Sequence, residues 1–204
     1  MMQVGVFAKT FAGSDPDQVL AACQKAGFKT VQYNMSCSGL ASLPSSIPPN
    51  VAHAVMIAAG NHGIEIAAVS ATYNMVDANL KRRETERRSF EAIAKIAGLM
   101  GADLLTVCSG SMHPTDKWQY HPSNDDPKSW IDMCKEFELL LELAEQYNVF
   151  IGVEPEQANV VNSAQMARRL LDEFSGSRIR IVLDPANIVE DQPPSDQYKI
   201  LDEA

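Results

Sequence analysis

Two carboxylates stand out by where they sit. In GVEPEQANVV, residues 152–161, an apolar run leads directly into Glu154; in RIRIVLDPAN, residues 178–187, a second run leads into Asp184, with Asn187 three residues on. An apolar run ending on an acid reads as a buried strand that delivers the acid to its C-terminal end. Adjacent parallel strands lie about 4.8 Å apart, so Glu154 and Asp184 at the same height could share one ion. Carboxylate oxygens are hard ligands for Mg²⁺ or Mn²⁺, and a carboxylate with a raised pKa can take a proton.

The second stretch with chemistry in it is CSGSMHPTDKWQYHPSNDDPKSW, residues 108–130, which carries Trp118, Tyr120, His121, Asn124 and Trp130. Aromatic planes beside hydroxyl and amide groups suit a polyol, and loops this long in compact domains are commonly functional. Trp118 and His121 are the expected substrate contacts. Trp130 opens a helix and is expected in the core; His113 precedes Pro114 and is expected to serve the loop. Ser109-Gly110-Ser111 could offer backbone N–H groups to a phosphate, although such triplets are common. Cys108 lacks an adjacent base and reads as a small core residue. KRRETERR, residues 81–88, suits exposed ion pairs along a solvated helix face, and His53 and His62 read as structural.

Six strand–helix units must position these residues. Strands are expected at 4–7, 30–35, 64–71, 103–110, 149–155 and 178–185. Helices are expected at 15–25, 50–61, 79–100, 127–147 and 163–174, with another beginning at 195. Asp15-Pro16 supplies a cap and an early proline for the first helix, and Gly27, Gly63 and Gly101 close the first three. Strict alternation means α/β, with a parallel sheet and helical crossovers. A doubly wound nucleotide fold would show a glycine-rich turn after its first strand, and neither G-x-G-x-x-G nor G-x-x-x-x-G-K-[ST] occurs. A barrel instead puts polar residues at many strand ends, as Lys9, Asn34, Ser70, Ser109, Glu154 and Asp184 do here.

Bulk properties narrow the class. The 204 residues are 46% hydrophobic and carry a net charge of −9, which argues against coating nucleic acid or anionic membranes. No apolar run is long enough to span a bilayer, and the N-terminus has no secretory pattern. The four cysteines, Cys23, Cys37, Cys108 and Cys134, form no C-x-x-C and read as reduced thiols of a cytoplasmic protein.

Together VEPE, NVV, LLDE and IVLDPAN, with SGS…W…HPSN…W upstream, make the chain resemble the sugar phosphate isomerase/epimerase proteins of the xylose-isomerase-like barrel superfamily. The resemblance spans essentially the whole chain. It implies one TIM-barrel-type domain, 1–204, with six βα units, the seventh and eighth strands being absent and the C-terminus short. It implies a divalent metal ion (Mn²⁺, Mg²⁺ or Zn²⁺) held by acids of the fifth and sixth strands, matched here by Glu154 and Asp184, with a His and a Glu from the two strands beyond. Glu154 would also move the proton. The substrate-contacting His that usually stands three residues after the Asp is Asn187 here. The implied substrate is a small sugar, sugar phosphate or polyol, with Asn187, His121, Trp118, Glu156 and Asn159 as its contacts. The implied reaction is isomerisation or epimerisation through proton abstraction next to a carbonyl. An inosose-dehydratase-like lyase and a sugar-binding relative without turnover are the alternatives. The first and sixth strands would be open edges, suited to burial in a homo-oligomer. A repair nuclease of the same superfamily ranks last, with only four His and a net negative charge.

Overall fold

The computed structural model describes residues 3–189 and 193–203. Strands and helices alternate as β1 (Gly5–Phe7), α1 (Pro16–Lys25), β2 (Thr30–Tyr33), α2 (Pro49–His62), β3 (Glu65–Ser70), α3 (Leu80–Ala97), β4 (Leu104–Val107), α4 (Pro127–Tyr147), β5 (Phe150–Val153), α5 (Ala164–Glu173), β6 (Ile179–Ile181), α6 (Pro185–Val189) and α7 (Pro194–Glu203). The six strands pair in chain order, and the strand registers are parallel. Among the described residues no helix is long and apolar enough to cross a membrane.

The chain divides into two compact units, with divisions after Thr72 and inside α3, β4, α4 and β5. The first unit holds β1 to β3, α1, α2 and most of α3. Its core is built from Val19 and Leu20 of α1, Val31 and Tyr33 of β2, Val55 of α2, Val69 of β3 and Phe90 and Ile93 of α3. Local chemistry sets the helix ends. The Asp15 side chain accepts from the Gln18 N–H at the start of α1, with Pro16 at the first helical position. Gly63 closes α2 in the left-handed conformation. His62 pairs with Asp17 at 2.9 Å and the His53 ring meets the Pro49 carbonyl at 3.0 Å, so both histidines serve local structure.

The second unit holds Tyr73–Glu84, the loop after β4, most of α4, and the chain from Ile151 onward. Trp130, Met133, Phe137 and Leu140 of α4 are buried, as are Val153, Val160, Val161, Leu170 and Ile179. The Phe137 and Phe174 rings lie 6.1 Å apart, and the Arg169 guanidinium sits 3.9 Å over the Trp130 ring. Trp130 is thus a core residue, as its place at a helix start implied.

Two expectations need correcting here. Arg83 does not lie on the solvated helix face expected of residues 81–88, whereas Arg82 is exposed and ion-paired. Arg82 pairs with Asp77, and the buried Arg83 reaches Asp132 at 2.9 Å. The sixth strand is also shorter than its apolar run and stops at Ile181. Asp184 accepts from the Ala186 N–H at 2.9 Å, which makes it the turn residue that opens α6. Proline at 185 explains this, because the residue before a proline avoids helical backbone while the proline itself fits a first helical turn. Glu154 follows β5 directly, so the two acids do not leave their strands at one height.

Candidate functional site

The site is built on two loops of the second unit, one after β4 and one after β5. Three buried asparagines lace the β4 loop in place. Asn159 accepts from the Gly110 N–H at 2.7 Å. Asn74 accepts from the Ser111 N–H at 3.1 Å and donates to the Ser111 carbonyl at 2.8 Å. Asn124 accepts from the Met112 N–H at 2.7 Å and donates to the Ala158 carbonyl at 2.7 Å. A primary amide carries a donor and an acceptor in the same arrangement as a peptide group, so it can pair with a backbone where no strand can. From the other side, Ser109 Oγ accepts from the Val161 N–H at 2.8 Å, and the Val160 N–H donates to the Gly110 carbonyl at 3.1 Å. The N–H groups of Gly110 and Ser111 are therefore engaged by asparagines. They anchor a loop and do not form the phosphate cradle that Ser-Gly-Ser could offer.

Onto this frame β5 delivers Glu154. Its N–H donates to the Val107 carbonyl at 2.9 Å, which sets it beside the end of β4. Its Oε1 accepts from Asn187 Nδ2 at 2.9 Å. Burial pushes the Glu154 carboxyl above its usual range and the Asp184 charge pushes it further, while the Asn187 hydrogen bond draws it back. The chain then turns sharply. The Asn159 N–H donates to the Glu156 carbonyl at 2.8 Å and the Glu156 N–H to the Val161 carbonyl at 3.1 Å. This turn helps bring Glu156 back beside Glu154. Ligand atoms of Cys108, Glu154 and Glu156 all lie within 4.8 Å of one another.

The sequence paired Glu154 with Asp184; the geometry adds Cys108 and Glu156 to Glu154 as a trio. Asp184 acts on Glu154 through its charge, and Asn187 through its amide. Cys108 was expected to be a core residue. It is buried, but its sulfur faces two carboxylates. One signal could have found it: Cys108 is the first residue past β4, as Glu154 is the first past the neighbouring β5.

The other expected contacts sit elsewhere in the unit. Asn159 is fully buried, with Oδ1 on the Gly110 N–H and Nδ2 donating to the Lys117 carbonyl at 3.2 Å, which makes it a tie between loops and corrects its reading as a sugar contact. His121 Nδ1 accepts from the Ser123 N–H at 3.2 Å and caps the short turn Pro122–Asp125. Trp118 is exposed, its N–H donating to Asp116 and the Lys117 ammonium lying 5.2 Å over its ring. His113 Nδ1 accepts from the Asp116 N–H at 3.1 Å, in the loop role expected of it.

A family model described as xylose isomerase-like TIM barrel matches residues 20–203. The chain belongs to that family. Solved structures agree on the fold. The apo 3-keto-D-glucoside 4-epimerase of E. coli superposes with a TM-score of 0.73 at 16% identity, over 99% of this chain and 76% of that one. D-psicose 3-epimerase of Clostridium cellulolyticum H10, crystallised with D-tagatose, gives 0.72 at 15%, over 94% and 67%. A xylose isomerase-like TIM barrel protein of Mycobacterium smegmatis in complex with magnesium gives 0.69 at 13%, over 99% and 72%. At such identities the likeness carries the fold alone. No curated protein matches the chain.

The donor set of this xylose isomerase-like barrel fits a divalent cation. Metal–oxygen bonds of about 2.0–2.2 Å and a metal–sulfur bond of about 2.3 Å put any two donors around one ion within roughly 4.5 Å of each other. The 4.8 Å bound on Cys108, Glu154 and Glu156 lies above that limit, so the side chains must draw together to hold one ion.

Proposed function

We propose that this chain is a metal-dependent isomerase or epimerase of a small sugar, sugar phosphate or related polyol, with Glu154 as the base. The observation that carries the reading is Glu154 itself, a desolvated carboxylate at a strand end, held by an amide and flanked by a second acid. A carboxyl raised by burial is a better proton acceptor than one in water, and abstraction next to a carbonyl needs a base tuned upward in this way. A divalent cation at the cluster supplies polarisation of the substrate carbonyl. Glu154 takes the proton from the carbon next to the carbonyl while Asn187 keeps the carboxylate aimed. Isomerisation follows when Glu154 delivers that proton to the former carbonyl carbon, and epimerisation when a second acid reprotonates the same carbon from the opposite face. Glu154, with Cys108 and Glu156 beside it, would hold the cation; from the sequence reading Asp184 stands as a further metal ligand, and Trp118 and His121 as substrate contacts.

The test is isotope exchange in D₂O, with Mn²⁺ and a panel of ketoses and ketose phosphates. Deuterium entering the carbon beside the carbonyl, in product and recovered substrate alike, is the expected result. A product that has lost water would move the chain to the lyases, and no exchange with any member of the panel would refute turnover of this class.

The hydrogen bond from Asn187 gives a second expectation. Replacing Asn187 by Leu removes the interaction that lowers the Glu154 pKa and leaves burial and the Asp184 charge unopposed. Activity needs the ionised base, so it rises with pH through that pKa. In Asn187→Leu the acidic limb of kcat/KM is therefore expected at higher pH than in the parent. A pH–rate profile with the limb unmoved would leave Asn187 without a part in tuning Glu154.

A further inference from the structure

We propose that the cavity between the start of α4 and α5 is a second binding site, for a small uncharged polyol, separate from the Glu154 cluster. Its volume is about 260 Å³, just below the range of about 300–1,000 Å³ usual for drug-sized ligands, so it suits a small one. The whole lining belongs to the second unit and includes none of Cys108, Glu154, Glu156, Asp184 and Asn187. The residue that points to a ligand is Trp130. Its side chain lines the cavity and is only 4% exposed, and its buried Nε1–H has no acceptor among the described residues. Buried donors are paired in most folds because an orphan weakens the structure, and an acceptor brought by a ligand would complete this one.

The rest of the lining sets the class of ligand. Arg169 stacks on the Trp130 ring at 3.9 Å and makes no hydrogen bond or ion pair among the described residues. A stacked guanidinium keeps its N–H groups in its own plane, free to meet a ligand. The Asn162 amide also lines the cavity without a partner among the described residues. Acceptors come from the start of α4. The Asp126 carboxylate is unpaired among the described residues, and Asp125 accepts from the Tyr120 hydroxyl at 2.6 Å. Two carboxylates disfavour an anion, and Arg169 disfavours a cation. What fits is a neutral molecule that both donates and accepts, and each hydroxyl does both. Tyr120 already makes to Asp125 the bond that a ligand hydroxyl would make. Val160 and Met166 add apolar surface for its C–H groups, and the bond from the Val160 N–H to the Gly110 carbonyl fixes that wall.

The experiment reads the Trp130 indole directly. The chain has two tryptophans, so a ¹⁵N spectrum of the full chain holds two indole N–H signals, and Trp118→Phe leaves the one from Trp130. Titration with xylitol, and separately with myo-inositol, is expected to move the Trp130 signal to saturation. The dissociation constant should rise about 10-fold in Arg169→Gln and in Asp126→Asn, the loss of one hydrogen bond to a charged group. Saturation should persist in Glu154→Gln, so the result stands apart from whether the chain turns over a sugar. Circular dichroism checks that the variants fold; Asp126 is exposed, so Asp126→Asn decides even if the Arg169 variant unfolds. No shift, or one that grows linearly in both indole signals as a solvent effect does, overturns the site. Saturation by glycine, acetate or putrescine but by neither polyol overturns the class of ligand. Polyol saturation unchanged in the folded variants places the ligand elsewhere and overturns the assignment of the cavity.

Discussion

Glu154→Gln is expected to leave a folded protein that turns over about 10³-fold more slowly and, when free of metal, melts at a higher temperature than its parent. The loss follows from chemistry, because a positioned base contributes typically about 10²–10⁴-fold and an amide cannot take up a proton from carbon. The gain follows from linkage. Burial and the Asp184 charge raise the Glu154 pKa in the folded chain above its unfolded value. An acid of that kind binds its proton more tightly when folded, so ionising it works against the fold. The penalty is absent below the unfolded pKa, grows as pH rises between the two values and is complete above the folded pKa. At neutral pH the carboxylate therefore weakens the apo protein. Gln keeps the shape and the acceptor for Asn187 while removing the charge. Activity and chelated melting temperature should move in opposite directions, as expected of a group kept for its chemistry. Retained turnover would remove Glu154 from the mechanism. A lower melting temperature in Gln would mean the carboxylate is a structural partner rather than a strained one.

The residues that were legible in the sequence are those whose evidence lies within a few positions of themselves. An apolar run ending on Glu154, a cap at Asp15 before Pro16, a glycine at 63 closing a helix: each is a local pattern, and each has the structural counterpart it announced. What stayed hidden depends on pairs far apart in the chain. Asn74 meets Ser111 37 residues away, Asn159 meets Gly110 49 residues away, and no periodicity marks a buried amide as a tie instead of a ligand contact. Arg83 was read from its neighbours as part of an exposed charge ladder, and its partner Asp132 stands 49 residues on. Cys108 falls between the two kinds. Its position past β4 was visible, but a cysteine at the end of a buried strand is ordinarily packing, and only the turn at Glu156 brings a second carboxylate to it. Asp184 shows the reverse error: the apolar pattern 179–183 outran the strand, because pattern records burial and not the hydrogen bonds that define an edge.

Gly110→Ala should damage the second unit far more than Gly176→Ala does. Gly110 sits at φ +83°, where an L-residue pays about 1–2 kcal/mol. A Cβ there would lie 2.0 Å from Asn74 Oδ1 and 3.0 Å from Asn74 Cα, so the amide must leave its place. Asn74 would then release both bonds to the Ser111 backbone, and each buried polar group left without a partner costs about 1–3 kcal/mol. Gly176→Ala is the control. Its φ of +77° is nearly the same, yet nothing lies within 4 Å of the added methyl, so it reports the backbone cost alone. In urea unfolding, Gly110→Ala is expected to lose at least about 2 kcal/mol more than Gly176→Ala, a large share of the 5–15 kcal/mol that typically holds a domain together. Equal losses would mean the Asn74 contact is slack and the loop is held by something else. Asn74→Ala removes the offending oxygen, so adding Gly110→Ala to it should cost less than in the parent, a non-additivity expected only of groups in contact.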